Sequence, residues 1–165
     1  MIALQVQDVK NFMSHLLIEN DFDAFWLNEA SITTFVTYTM DGTLHKAFFD
    51  SDQAEILSRS QRTYALWKEL KPFCFQIMKG KYTPLHFKIV FQLSRQNLEK
   101  LLADSGLSMH ADDVFGLYLN IQYDGKQIVC TTGSSLRTFT MDRTLDRLWD
   151  EMVRNFFRQH HFPVL

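Results

Sequence analysis

This chain approximately repeats its own sequence, and the repetition limits the folds that it can adopt. Residues 66–70 read Leu-Trp-Lys-Glu-Leu, and residues 148–152 read Leu-Trp-Asp-Glu-Met. An Asp-Gly pair precedes each segment, at 41–42 and again at 124–125. Both spacings are close to half of the 165-residue chain. Internal similarity at one fixed period predicts that a structural unit is used twice.

Each half is predicted to begin with a strand and a helix. Apolar residues alternate at 2–6 and again at 87–93, which is the period of a half-buried strand. Apolar residues at helical spacing follow Asp8 and Ser94, whose side chains are predicted to cap the helices. Gly106 is predicted to end the second of these helices in a left-handed conformation.

A hairpin and a further helix are predicted to complete each half. Asp-Gly favours the type I′ turn, so 41–42 and 124–125 are predicted to turn a long strand back on itself. The return strands are predicted at 44–49 and 128–132, and the polar residues 50–60 are predicted to form a connection. The helices that carry Trp67 and Trp149 then close the two halves.

The predicted fold class is α+β, with an internal duplication of strand-helix-hairpin-helix. An antiparallel sheet from both hairpins is covered by four main helices, with a pseudo-two-fold between the halves 1–80 and 84–165. The connection between the halves is too short to separate free domains, so one domain over 1–165 is predicted. The two helices with their tryptophans are expected at equivalent places in one core.

Composition narrows the class of protein. The aromatic share is 14%, led by fifteen Phe, and such rings are either buried or mark a surface that meets a partner. The net charge of −2 gives no general attraction to nucleic acid or to anionic membranes.

Cys74 and Cys130 are predicted to be reduced core thiols. Without a signal-like or membrane-spanning segment, the expected location is the cytoplasm.

The sequence contains no catalytic or metal-binding signature. No catalytic residue, metal or cofactor is therefore predicted, and a protein without enzymatic activity is favoured over an enzyme. The acidic stretch at 19–23 is predicted to be a solvated loop. The adjacent pair at 160–161 is predicted to end the last helix without binding a ligand. An enzyme whose site is assembled from distant residues, around His45, His86 or Asp112, is kept as an alternative.

The charge distribution supplies the candidate binding residues. The stretch 59–81 has six basic residues and a single acid, whereas 11–45 contains acids but no Lys or Arg. A basic helix with aromatic residues is typical of nucleic-acid or acidic-partner binding, and the competing interpretation is internal pairing with the acidic loop. The candidate binding residues are Arg59, Arg62, Lys68, Lys71, Lys79 and Lys81.

Five segments of the chain have a recognisable wording: MIAL at 1–4, ASITTF at 30–35, KGKYTP at 79–84, FKIVFQL at 87–93 and CTTG at 130–133. Together they resemble a family of unknown function found in anaerobic gut Firmicutes. The resemblance implies a bacterial origin and carries no activity or functional residue to this chain. The order of elements also resembles one domain of a DNA sliding clamp, although the helix after each hairpin departs from that pattern.

Three functions follow as hypotheses. The leading one is a non-enzymatic binding or assembly module that forms a homodimer or binds a protein partner, with no membrane association. The first alternative is a clamp-like protein that contacts nucleic acid through the basic stretch 59–81. The second is an enzyme with a site that the sequence does not reveal.

Overall fold

A computed structural model describes residues 1–165 as an antiparallel sheet packed by helices. The elements in chain order are β1 (Ala3–Gln5), α1 (Val9–Leu17), β2 (Trp26–Thr33), β3 (Thr37–Asp41), α2 (Ser51–Arg59), α3 (Trp67–Met78), β4 (His86–Gln92), α4 (Arg95–Ser105), β5 (Val114–Tyr123), β6 (Ile128–Leu136) and α5 (Thr144–Gln159). Short 3₁₀ turns lie at Lys46–Phe48 and Ala111–Asp113. The predicted α+β class is confirmed.

The six strands lie in the order β1-β6-β5-β4-β2-β3. Side chains on one face form rows across the sheet, because paired residues of neighbouring strands point the same way. One such row is Leu4, Cys130, Ile121, Ile89, Ala30 and Met40. This face packs against buried residues of α1, α3, α4 and α5 in one hydrophobic core.

The strand pairing shows no duplication. The element order strand-helix-hairpin-helix does occur twice. However, β4 pairs directly with β5 of its own half, whereas β1 pairs with β6 of the other half and not with β2. The pseudo-two-fold therefore stays a prediction from the sequence.

Local signals predicted several elements correctly. The Asp8 side chain accepts a hydrogen bond from the Asn11 N–H at 3.0 Å, and the Ser94 hydroxyl accepts one from the Asn97 N–H. Gly106 follows α4 with φ of 73°. Residues 124–125 lie in the turn between β5 and β6, where Gly125 has φ of 98°.

The first hairpin differs from its prediction. The chain turns at 34–36, between β2 and β3, and not at Asp41-Gly42. The predicted return strand 44–49 contains a 3₁₀ turn, and the predicted connection 50–60 contains helix α2. The turn residues 34–36 are β-branched or aromatic, so they carry no recognisable turn signal. Helix α2 is hard to recognise from the sequence because only Leu57 of that helix is buried.

Gly42 has a different role from the predicted turn. A Cβ atom at this position would lie 1.8 Å from the main-chain oxygen of Leu27. The Ala65 N–H donates to the Gly42 oxygen, and the Leu27 N–H donates to the Ala65 oxygen, both at 2.8 Å. Three chain segments meet here so closely that only glycine fits.

The two edges of the sheet differ in whether another chain segment covers them. At β1, Gln5 and Leu165 exchange main-chain hydrogen bonds of 3.3 and 2.9 Å, so the last residues cover that edge. No strand pairs with the outer side of β3.

None of the helices combines the length and the apolar character needed to cross a bilayer.

Candidate functional site

The aromatic residues divide into a buried set and an exposed set. Many buried rings contact one another around Phe22, whose ring centroid lies 5.6 Å from that of Phe12 and 5.7 Å from that of Phe162. Other aromatic rings stand in solvent, and Phe35 and Tyr82 are 88% and 81% exposed. Core packing explains the buried rings only. The exposed rings therefore mark a candidate binding surface.

Phe35 and Tyr82 lie in the same groove, which we call the hairpin groove. Three elements form it: the tip of the β2–β3 hairpin, the last turn of α3, and the loop that leads to β4. This open groove has a volume of about 650 Å³. Its lining residues are Thr34, Phe35, Tyr38, Gln76, Ile77, Lys79, Gly80, Lys81, Tyr82, Thr83 and Leu85.

Main-chain hydrogen bonds fix the loop to the hairpin and shape the end of α3. The Leu85 N–H donates to the Thr33 oxygen at 2.8 Å, which fastens the loop to the hairpin. The Lys79 N–H donates to the Phe75 oxygen at 2.8 Å and ends α3. Gly80 has φ of 137°, a conformation that residues with a side chain rarely adopt, and it lets the loop leave the helix there.

The groove is positively charged. Lys79 and Lys81 line it, no Asp or Glu does, and neither lysine makes an ion pair. The Lys81 ammonium lies 5.8 Å from the centre of the Tyr82 ring, within cation–π range. The C-terminal end of α3 carries partial negative charge, so the two lysines are the source of the positive charge.

One polar atom in the groove lacks a partner. The hydroxyl oxygen of Thr34 is buried and makes no hydrogen bond. Buried hydroxyl groups are normally paired, since an unpaired one costs stability. This hydroxyl is closed to solvent, so it offers no contact to a ligand in the groove as it stands.

The structure separates the six candidate basic residues. Arg59 pairs with Glu55, Arg62 pairs with Glu69, and Lys68 is exposed on the first turn of α3. The Lys71 ammonium lies 2.6 Å from an Asp23 carboxylate oxygen and also donates to a main-chain oxygen of the acidic loop. Only Lys79 and Lys81 come together at one concave surface.

A second polar cluster was not predicted from the sequence. The Nδ1 atoms of His15 and His160 each lie 2.6 Å from a different carboxylate oxygen of Asp21. Partial burial acts to raise the pKa of Asp21, but the hydrogen bonds and positive charges of the two histidines outweigh it and lower that pKa. The acidic loop, which was predicted to be solvated, is therefore joined to the end of α5, and spacing along the chain did not indicate this contact.

The residues of the enzyme alternative lie apart from this cluster. His45 and His86 are exposed, and Asp112 pairs with Arg95 at 2.7 Å. No group of three or more His, Cys, Asp or Glu side chains is placed to hold a metal ion. Cys74 and Cys130 are buried and unpaired, as predicted.

Comparison with known proteins identifies a family. A model described as "Family of unknown function (DUF5721)" matches residues 15–164, so the chain belongs to that family. The predicted resemblance to a family of unknown function is confirmed, while the origin in gut Firmicutes stays a prediction. Neither the curated proteins nor the solved structures yield a match.

Proposed function

We propose that this member of the DUF5721 family is a non-enzymatic binding module, and that the hairpin groove is its ligand-binding surface. The observation that carries the proposal is the coincidence of two unpaired lysines with exposed aromatic rings in one concave surface without acids. Ligand sites combine apolar walls with a few converging polar groups, and about 650 Å³ lies in the usual range of their volumes. The ligand is therefore expected to be anionic and to carry a flat apolar group.

A dye with this chemistry provides the first test. Anilinonaphthalene sulfonate carries one anionic group on fused aromatic rings. We expect saturable binding to the folded protein, seen as enhanced dye fluorescence. Lys79→Glu combined with Lys81→Glu should abolish it, because the sulfonate then faces two negative charges. Near-ultraviolet circular dichroism should stay unchanged, which separates groove binding from binding to a loosened core.

The matched control is Lys68→Glu combined with Lys100→Glu. Both lysines are exposed, and neither lines the groove. The net charge changes equally in the two double variants, so a general electrostatic effect would weaken both. Dye binding that is absent from the native protein, or equal in both double variants, contradicts the proposal.

Self-association is a second candidate function, and the open edge of β3 favours it. The Gly42 N–H donates to the Asn28 oxygen, so main-chain groups of Tyr38 and Met40 face β2 in the alternating ladder. Those of Thr37 and Thr39 then point outward. An uncovered edge without Lys or Pro is suited to pairing with another strand.

Light scattering during size-exclusion chromatography tests self-association. A dimer is expected, and Thr39→Pro should return it to a monomer, because proline removes an outward N–H and is tolerated on an edge strand. The control is Thr138→Pro, at an exposed position between β6 and α5. A native monomer at high protein concentration rules out this second function and leaves the groove proposal unaffected.

A further inference from the structure

We infer that the hairpin groove binds single-stranded nucleic acid, with bases stacked on Tyr82 and Phe35 and phosphates held by Lys79 and Lys81. This inference rests on the proposed function and names the ligand class of the same groove. It differs from the predicted use of the whole stretch 59–81, since Arg59, Arg62 and Lys71 make other ion pairs.

The exposed rings argue for bases as the apolar part of the ligand. Phe35 is presented by the hairpin tip and Tyr82 by the facing loop, and solvent reaches most of each ring. Proteins that bind single strands present aromatic side chains of this kind, on which bases stack with little dependence on sequence. In a duplex the base faces are already stacked, so a single strand fits this surface better.

The lysines argue for phosphate as the charged part. Each base in a strand is joined to its neighbour through a phosphate, so rings and negative charges alternate along the ligand. The groove places a charge beside a ring, because the Lys81 ammonium lies 5.8 Å from the centre of the Tyr82 ring, while 81% of Tyr82 stays open to a base. An acidic peptide would pair with the lysines but would leave the exposed rings without a flat partner.

Two phosphate contacts and a net charge of −2 predict modest, weakly salt-dependent binding. For single strands the slope of log K against log salt concentration is about −0.7 for each phosphate contacted. Contact through Lys79 and Lys81 therefore predicts a slope of about −1.4.

Fluorescence anisotropy with labelled oligothymidylate and oligouridylate tests the inference, over about 50–200 mM salt. Saturable binding with the predicted slope is expected. Lys79→Ala with Lys81→Ala should bring the slope close to zero. Tyr82→Ala should weaken binding by about ten-fold, within the range of one stacked base, and leave the slope unchanged. Lys68→Ala with Lys100→Ala should alter neither property.

Two further probes separate the possible failures. Binding of an abasic strand as tight as that of oligothymidylate overturns base stacking. Binding of oligoglutamate without binding of either oligonucleotide overturns the inference, and leaves the proposed function intact with an acidic protein as the ligand. Loss of binding to the oligonucleotides, to oligoglutamate and to the anionic dye overturns both proposals.

Discussion

The indole N–H of Trp67 donates a hydrogen bond to the main-chain oxygen of Leu16 at 2.8 Å, and both side chains are fully buried. Leu16 lies in the last turn of α1, where carbonyl groups lack a partner within the helix. Trp67 thus joins the start of α3 to the end of α1. The indole N–H of Trp149 likewise donates to the main-chain oxygen of Tyr118 at 2.9 Å, so each tryptophan is held by a hydrogen bond to a main-chain oxygen.

Trp67→Phe is expected to lower the free energy of unfolding by about 2–4 kcal/mol, because it leaves a buried carbonyl unpaired and opens a small cavity. Trp149→Ala should cost about 3–5 kcal/mol. Urea denaturation followed by far-ultraviolet circular dichroism measures both. Phe139→Ala is the control, since that ring is 87% exposed and its loss should change stability by less than about 0.5 kcal/mol. Native-like stability of either tryptophan variant would refute its placement in the core.

Gly42→Ala is expected to destabilise the protein by about 1–3 kcal/mol or more, because the added Cβ would collide with the Leu27 oxygen. The matched control is Gly133→Ala. No atom lies within 4 Å of a Cβ at that position, so a change of less than about 0.5 kcal/mol is expected. The midpoint of thermal unfolding compares the two variants. Equal midpoints would mean that the chain does not approach Gly42 as closely as described.

Asp21→Asn is expected to lower stability at neutral pH by about 1–3 kcal/mol, since an amide replaces a carboxylate that bonds two histidines. The folded pKa of Asp21 lies below its ordinary value of 3.8. Its stabilising effect is therefore complete above that value and is lost as the pH falls through the folded pKa. Unfolding measured from neutral to acidic pH should show the native and variant proteins converging at the acidic end.

Asp104→Asn provides the comparison for this pH series. Asp104 is exposed on α4, so its substitution should give a small difference at every pH. If the Asp21→Asn difference also stays constant below pH 3.8, the carboxylate does not bridge the two histidines.

Both thiols are expected to resist modification in the folded protein. Burial raises the pKa of Cys74 to about 11 and raises that of Cys130 further, so the reactive thiolate is scarce at neutral pH. Ellman's reagent should release almost no colour from the native protein and should titrate two thiols after unfolding. Rapid reaction of one thiol without denaturant would contradict its burial.

Features that depend on neighbouring residues could be predicted from the sequence. Asp8 and Ser94 cap helices, and Gly106 ends one, because each acts on main-chain groups within a few residues. The Asp-Gly turn at 124–125 and the helix that carries Trp149 are local for the same reason. Asp41-Gly42 shows the limit of such signals, since a tertiary contact with Leu27 gives the same dipeptide another role.

The candidate site could be predicted only in part. Lys79 and Lys81 were among the six basic residues, because their charge and their closeness in sequence are visible without a structure. Phe35 and Thr34 lie over forty residues away and join them only because β2 pairs with β4 and brings the hairpin tip beside the loop. The meeting of Asp21 with His160 likewise depends on how the chain ends pack.

Short-range patterns were enough to predict the helix caps, the second hairpin, the α+β class and the core thiols, since periodicity, capping and turn chemistry act over short distances. Three features emerge only when the chain is folded: β1 pairs with β6, the first hairpin turns at 34–36, and four basic candidates lie apart from the hairpin groove. Those outcomes depend on which distant segments bury one another, and a single sequence does not encode that in any local pattern.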